Sequence, residues 1–185
     1  MNAEGTLSGT SLALVKQGDV VLPATGGDAG NTVAGAAVGT TLTTSSGTTH
    51  TSGYITPAPH ATSNAHVENL SLLGGAVTAG VLDVTATSDA DGANASTTFV
   101  TTLAQLKVGA LTIDPMIPPN TVIALPQPSG EVLYVVINER TEAGNGTTDT
   151  TGTVNALHIY VLKGATLTAE VIVASAHAGA HSDHL

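Results

Sequence analysis

The sequence predicts an all-β protein, an antiparallel β-sandwich of roughly ten strands, on three observations. Apolar residues alternate with polar ones over short segments, and helical periodicity is almost absent. Val, Ile and Thr, which suit a pleated surface, dominate those segments. Clusters of Gly, Pro, Asn and Asp separate them at short intervals, where the chain can reverse.

Taken in order, strands are expected over 11–16, 19–22, 33–43, 66–73, 81–87, 97–103, 121–125, 131–139, 155–162 and 166–175. VLPATGG at 21–27 contains the letters of a sortase signal, LPATG, but no apolar span and basic tail follow it. It is read as a strand running into a Pro-Gly turn. The segment EVLYVVINE at 131–139 is apolar at successive positions and polar at its ends, the pattern of a central strand covered on both faces. Reversals are expected at Gly74-Gly75, Asp91-Gly92, Pro118-Pro119-Asn120, Ser129-Gly130 and Gly144-Asn145-Gly146. Residues 40–64, rich in Thr, Ser, Gly, Pro and His, are expected as a long loop or an edge excursion, and 103–106 as a brief helix or part of a strand.

Composition narrows the function classes. The chain has 185 residues, enough for one domain with an appended segment. Only 2% are aromatic, so the core is expected from Val, Leu, Ile and Ala in closely packed layers. With 4 basic against 14 acidic residues the net charge is −10, and Lys16, Lys107, Arg140 and Lys163 are scattered, so no nucleic-acid partner is expected. No cysteine is present, which removes disulfides and thiolate chemistry. The run 69–82 is too short and too rich in Gly and Thr to span a bilayer, and MNAEGTLSGT has no signal-peptide pattern. The expected division is an N-terminal strand segment (1–23), the sandwich (24–176) and a His-containing tail (177–185).

From Ala61 onward the stretches VENLSLLGG (67–75), VTA (77–79), PNT (119–121), VINE (136–139) and VNALH (154–158) resemble the choice-of-anchor P family, secreted bacterial surface domains. They cover about two-thirds of the chain in the family's order, and VVLPATGG is similar to a Leu-Pro strand end near the start of such domains. The resemblance implies an extracellular or cell-surface β domain without enzymatic activity. It departs from the family in lacking a cysteine pair near 86–91 and 176–179 and a recognisable sorting signal after His184-Leu185.

Individual motifs carry little chemistry. Asp89-Ala90-Asp91-Gly92-Ala93-Asn94 resembles the opening of a calcium loop, but its Gly is misplaced and Val100 stands where a bidentate Glu belongs, so a plain turn is expected. The same holds for 145–149. Histidines group as His50, His60, His66 and as His177, His181, His184, and are expected to be solvated; His158 is expected packed or at an edge. No G-x-S-x-G, P-loop or dinucleotide fingerprint occurs, and no catalytic residue, metal ligand or cofactor is expected. Asn69, Asn94 and Asn145 stand in glycosylation sequons.

The segment TLSGTSLALVKQGDVVLP at 6–23 has strand character on both sides of a Gly-Asp turn. Such a strand either closes its own sandwich or completes the edge of another copy, with Leu12, Leu14, Val20 and Leu22 as its assembly residues. The expected function is an extracellular, self-assembling structural protein, a homo-oligomer or homopolymer in contact with the cell envelope. The alternative is a monomeric surface module that binds carbohydrate or metal.

Overall fold

A computed structural model describes residues 2–7, 10–12, 21, 23, 25–38, 42–56 and 58–183. Its strands are β1 (Asn2–Leu7), β2 (Thr10–Leu12), β3 (Gly27–Val33), β4 (Ala36–Val38), β5 (Leu42–Thr44), β6 (Ser46–Tyr54), β7 (His60–Leu72), β8 (Val77–Ala90), β9 (Ala95–Ala104), β10 (Lys107–Val108), β11 (Leu111–Thr112), β12 (Thr121–Pro126), β13 (Glu131–Gly144), β14 (Asp149–Lys163) and β15 (Thr166–His181). Ten of the fifteen have six residues or more, and the remaining five are pieces of two or three. The all-β antiparallel sandwich is therefore what the alternation predicts.

One sheet runs β12-β13-β14-β15-β1-β2. The other, of nine strands, runs β11-β10-β8-β7-β5-β4, with β9 also on β8, β6 also on β7, and β3 on β6. β14 and β15 lie against β7, β8 and β9, and the aliphatic core fills the space between. Its largest fully buried side chains, among them Leu72, Leu82, Leu103, Leu133, Ile137, Leu157 and Ile159, include no aromatic ring. One flank is closed by hydroxyls: Thr97 Oγ1 bonds Ser88 Oγ at 2.8 Å and Thr150 Oγ1 at 2.9 Å. Asn138 Oδ1 accepts from Thr101 Oγ1 at 2.8 Å across the same flank.

The inward and outward faces exchange part-way along both sheets. In β13 the buried residues are Leu133, Val135 and Ile137, then Asn138; in β15 they are Ala169, Val171 and Val173, then Ala174, Ala176, Ala178 and Ala180. In β14 the residues of the aliphatic core are Val154 and Ala156, then Leu157, Ile159 and Val161, while Thr150, Gly152, Asn155 and His158 are buried outside that cluster. The pairings Ile137↔Leu157 and Glu139↔Asn155, with Leu157↔Val173 and Asn155↔Ser175, place Asn138, Ala156 and Ala174 in one row across the sheet. Asn138 and Ala174 have φ of 53° and 52°. A left-handed residue turns the backbone over, so everything beyond it shifts phase by one. The nine-stranded sheet repeats the device at Asn69 (φ 48°): β7 buries Ala65 and Val67, then Leu70 and Leu72, while β8 buries Val77 and Ala79, then Leu82, Val84 and Ala86.

Several expectations are corrected. The described part of 40–64 is not a long loop, because Ser46–Tyr54 pairs with both β3 and β7 and His60 opens β7. Residues 103–106 form no helix: β9 ends at Ala104 and Gln105 turns the chain at φ 55°. The strand 131–139 is not covered on both faces, since Tyr134 is 38% exposed where the outer face of an antiparallel sheet meets solvent. The tail expected from 177 is instead strand up to His181, held by the buried methyls of Ala176, Ala178 and Ala180. The expected strand 33–43 is divided between β3, β4 and β5, with Gly35 (φ 72°) between the first two. The turns at Gly74-Gly75, Asp91-Gly92, Pro118-Pro119-Asn120, Ser129-Gly130 and Gly144-Asn145-Gly146 fall at or between strand ends as expected.

Candidate assembly site

A strand at the border of a sheet exposes a row of backbone donors and acceptors, so the border strands are where another chain can add. β15 is bordered by β14 over its whole length. On its other side β1 covers only four positions, with Asn2↔Ile172, Ala3↔Val171, Glu4↔Glu170 and Gly5↔Ala169. Beyond them, among the described residues, Val173–His181 has strand pairing on the β14 side alone.

β2 folds back on β1 through Gly5↔Leu12, Thr6↔Ser11 and Leu7↔Thr10. Leu12 thus stands on the outermost strand of this sheet, one strand removed from β15. Leu14, Val20 and Leu22 lie outside the described residues, as do most of the expected strands 11–16 and 19–22.

Beside this border lies a buried polar cluster. His158 is 7% exposed, and its two ring nitrogens face two carboxylates: Nδ1 lies 2.7 Å from Glu139 Oε2 on β13, and Nε2 lies 2.5 Å from Glu170 Oε1 on β15. Both ring nitrogens thus lie within hydrogen-bond reach of a carboxylate, and the hydroxyl of Tyr160 lies 3.1 Å from Nδ1 as well. Asn155 Nδ2 donates to the same Glu139 oxygen at 2.7 Å, while Asn155 Oδ1 is buried without a partner. Tyr160 tilts against His158 with ring centroids 4.2 Å apart. Burial, then the charges of Glu139 and Glu170, raise its phenol above the usual 10.0 and keep it neutral.

The face exchange assembles this cluster. On an uninterrupted strand, positions 155 and 158 point to opposite sides. With Val154, Ala156, Leu157 and Ile159 all in the aliphatic core, Asn155 and His158, buried themselves, lie on the other face and share Glu139. The sequence shows a histidine in a strand but carries no local signal for its two acids, which come from other strands.

The remaining histidines follow a related pattern. His50 bonds Asp28 at 2.9 Å, His60 bonds Asp89 at 2.6 Å, and His66 lies between Asp83 at 2.9 Å and Glu68 at 3.3 Å. His181 lies between Asp183 at 3.0 Å and Asp149 at 3.7 Å, whereas His177 bonds Thr153 at 2.9 Å. His50, His177 and His181 are exposed, as expected of solvated histidines, while His60 and His66 are partly covered; in a chain poor in Lys and Arg, pairing of strands brings Asp28, Asp89, Asp83 and Asp149 beside His50, His60, His66 and His181. For His66, burial favours the neutral ring, but the hydrogen bonds and charges of Asp83 and Glu68 outweigh it and raise the pKa above 6.5. Glu68 is held below 4.5 by the hydroxyl of Ser46 and then by His66.

The two acidic loops are built as turns. Asp91 Oδ1 accepts from the backbone N–H of Ala93 at 2.8 Å and of Asn94 at 2.6 Å, which holds its pKa below 3.8, while Asp89 faces His60. Asn145 Oδ1 accepts from the N–H groups of Thr147, Thr148 and Asp149. Among the described residues no helix is long and apolar enough to cross a membrane.

No family model, curated protein or solved structure matches this chain, so the resemblance to choice-of-anchor P domains stands on the quoted stretches alone.

Proposed function

We propose that this protein is an extracellular structural subunit, without catalytic activity, whose copies join into a filament or surface layer by adding a strand to the border of β15. The observation that carries this reading is the partial cover of that border: β1 occupies Ala169–Ile172 and leaves Val173–His181 paired only to β14 among the described residues. The N-terminal strand docks through a backbone ladder at the sheet's edge. Residues 2–5 of a second copy could therefore make the same bonds in the same register, which makes the exchange cheap. Head-to-tail donation that does not close into a ring yields a polymer. Only 10% of the chain's residues are charged, and its many small Thr, Ser, Gly and Ala side chains let copies pack closely.

Electron microscopy of the purified full chain, beside a variant lacking residues 1–22, tests the proposal. Long regular particles are expected from the full chain and none from the truncation. A truncated protein that still polymerises normally sinks the strand-addition reading. Leu14→Asp provides a milder probe, expected to impair assembly if that side chain enters an apolar groove.

A second reading, a monomeric binding module, draws on the Tyr54 ring stacked on His60 at 5.1 Å, half-exposed and beside Asp89. An exposed ring next to a carboxylate suits a sugar face. A glycan array showing specific binding, with only monomers under the microscope, would favour it.

A further inference from the structure

We propose that Thr62 is an acyl-acceptor site: its hydroxyl, activated by His60, takes an acyl group from a thioester and keeps it as an ester. The site lies on the nine-stranded sheet, whereas the β15 border belongs to the six-stranded one, so the two readings stand or fall separately.

His60 and Thr62 are two residues apart on β7 and so share a face. Register sets Asp89 of β8 opposite His60 and Thr87 opposite Thr62, while Tyr54 of β6 pairs with His60 from the other side. Three contacts follow. His60 Nδ1 lies 2.6 Å from Asp89 Oδ1, His60 Nε2 lies 3.1 Å from Thr62 Oγ1, and Thr62 Oγ1 lies 3.2 Å from Thr87 Oγ1. A carboxylate only accepts, so the neutral ring carries its proton on Nδ1 and leaves Nε2 to accept from the Thr62 hydroxyl. With that proton given to His60, the Thr87 hydroxyl is the donor in its contact with Thr62. The row thus sets a nucleophile beside a base, and the base beside the group that orients it.

The row is open to a donor, since His60 and Thr62 are partly exposed and Asp89 is exposed. Tyr54 stacks on the imidazole at 5.1 Å with 18° between the planes, which steadies the ring. At 52% exposure Tyr54 also offers apolar surface to the donor's leaving group.

The backbone limits the chemistry. At Thr62, β7 is paired on both sides, with Ser52 of β6 and Thr87 of β8, so the ladders occupy the N–H groups that an oxyanion hole would need. A nucleophile without that help requires an activated acyl group, which a thioester supplies. The product is an alkyl ester, less reactive than its donor, so transfer ends after one round. In the step, the Thr62 oxygen bonds the carbonyl carbon as its proton passes to His60 Nε2. The C–S bond then breaks, and the leaving thiolate takes that proton.

The test incubates the full chain with S-phenyl thioacetate at about pH 8, where free imidazole is neutral. Acetylated residues are mapped by mass spectrometry over time in the wild type, Thr62→Val, His60→Gln, Asp89→Ala and Asp89→Glu. Acetylation of Thr62 is expected in the wild type, about a hundred-fold faster than at Thr98, which lies opposite Thr87 on the same face. His60→Gln should slow it by about a hundred-fold, the effect of losing a general base. Asp89→Ala should slow it too, and Asp89→Glu should recover part of the rate, because Asp89 is a positioning residue that acts through His60. Thr62→Val should carry no acetyl at position 62.

Acetyl groups confined to lysines and the chain terminus overturn the inference, as do equal rates at Thr62 in the wild type and His60→Gln. Acetyl-Thr62 that hydrolyses as fast as it forms would make the site an esterase and overturn the acceptor assignment. Should a variant not fold, the wild type alone decides: equal labelling of Thr62 and Thr98 overturns the inference.

Discussion

Gly152 of β14 faces Phe99 of β9 so closely that a β-carbon at 152 would lie 2.6 Å from the ring's Cζ and 2.6 Å from Thr97 Cγ2. The absence of a side chain at one position therefore sets how near β9 comes to the six-stranded sheet. That approach in turn allows the Thr97–Thr150 bond.

Gly152→Val should overpack this contact and cost about 1–3 kcal/mol, measured by chemical denaturation. Combining it with Phe99→Ala should recover part of the loss, since the ring is half of the obstruction. Simple additivity of the two costs would show that the contact is not shared.

Asn138 combines a left-handed backbone with a side chain that accepts from Thr101 and from Arg140 Nε. Asn138→Ala leaves the Thr101 hydroxyl and the Arg140 guanidinium without this acceptor and places a less tolerant residue at φ 53°. A loss of about 2–4 kcal/mol in unfolding free energy is expected. Asn138→Gly, which relieves the backbone and removes the same acceptor, should lose less.

Because the pKa of His66 is raised in the folded state, its contribution is full below the unfolded value of 6.5 and is lost as pH rises through the folded one. Glu68, whose pKa is depressed, contributes above 4.5 and loses that contribution as pH falls through its folded value. The difference in Tm between the wild type and His66→Gln should therefore be largest near pH 5–6 and shrink above 7. A difference that grows toward pH 8 would contradict this assignment.

The carboxylate of Asp91 is tied to two backbone N–H groups in the β8–β9 reversal. Asp91→Ala should lower Tm by a few degrees at neutral pH and by less as the wild-type carboxylate is protonated in acid. An equal effect at pH 3 and pH 7 would mean that the ionised oxygen is not what holds the turn.

The all-β class, the positions of most strands and the main reversals were legible in the amino-acid sequence, because alternation and turn chemistry act over a few neighbouring residues. The aliphatic core was legible too, since the chain has one Phe, three Tyr and no Trp to build with. Residues 177–181 misled through composition: a stretch of Ala, Gly and His looks like a tail until a facing sheet covers Ala178 and Ala180.

Tertiary structure alone decided which side chains share a face and which acids each histidine meets. Asn69, Asn138 and Ala174 give no sign in the sequence that their backbones are left-handed, yet each marks a row where inside and outside exchange. That exchange puts Asn155 and His158 on one surface, and pairing of strands distant in the chain brings Glu139 and Glu170 to the same imidazole. Periodicity records the pattern along one strand, whereas register between strands is settled only when all of them pack together.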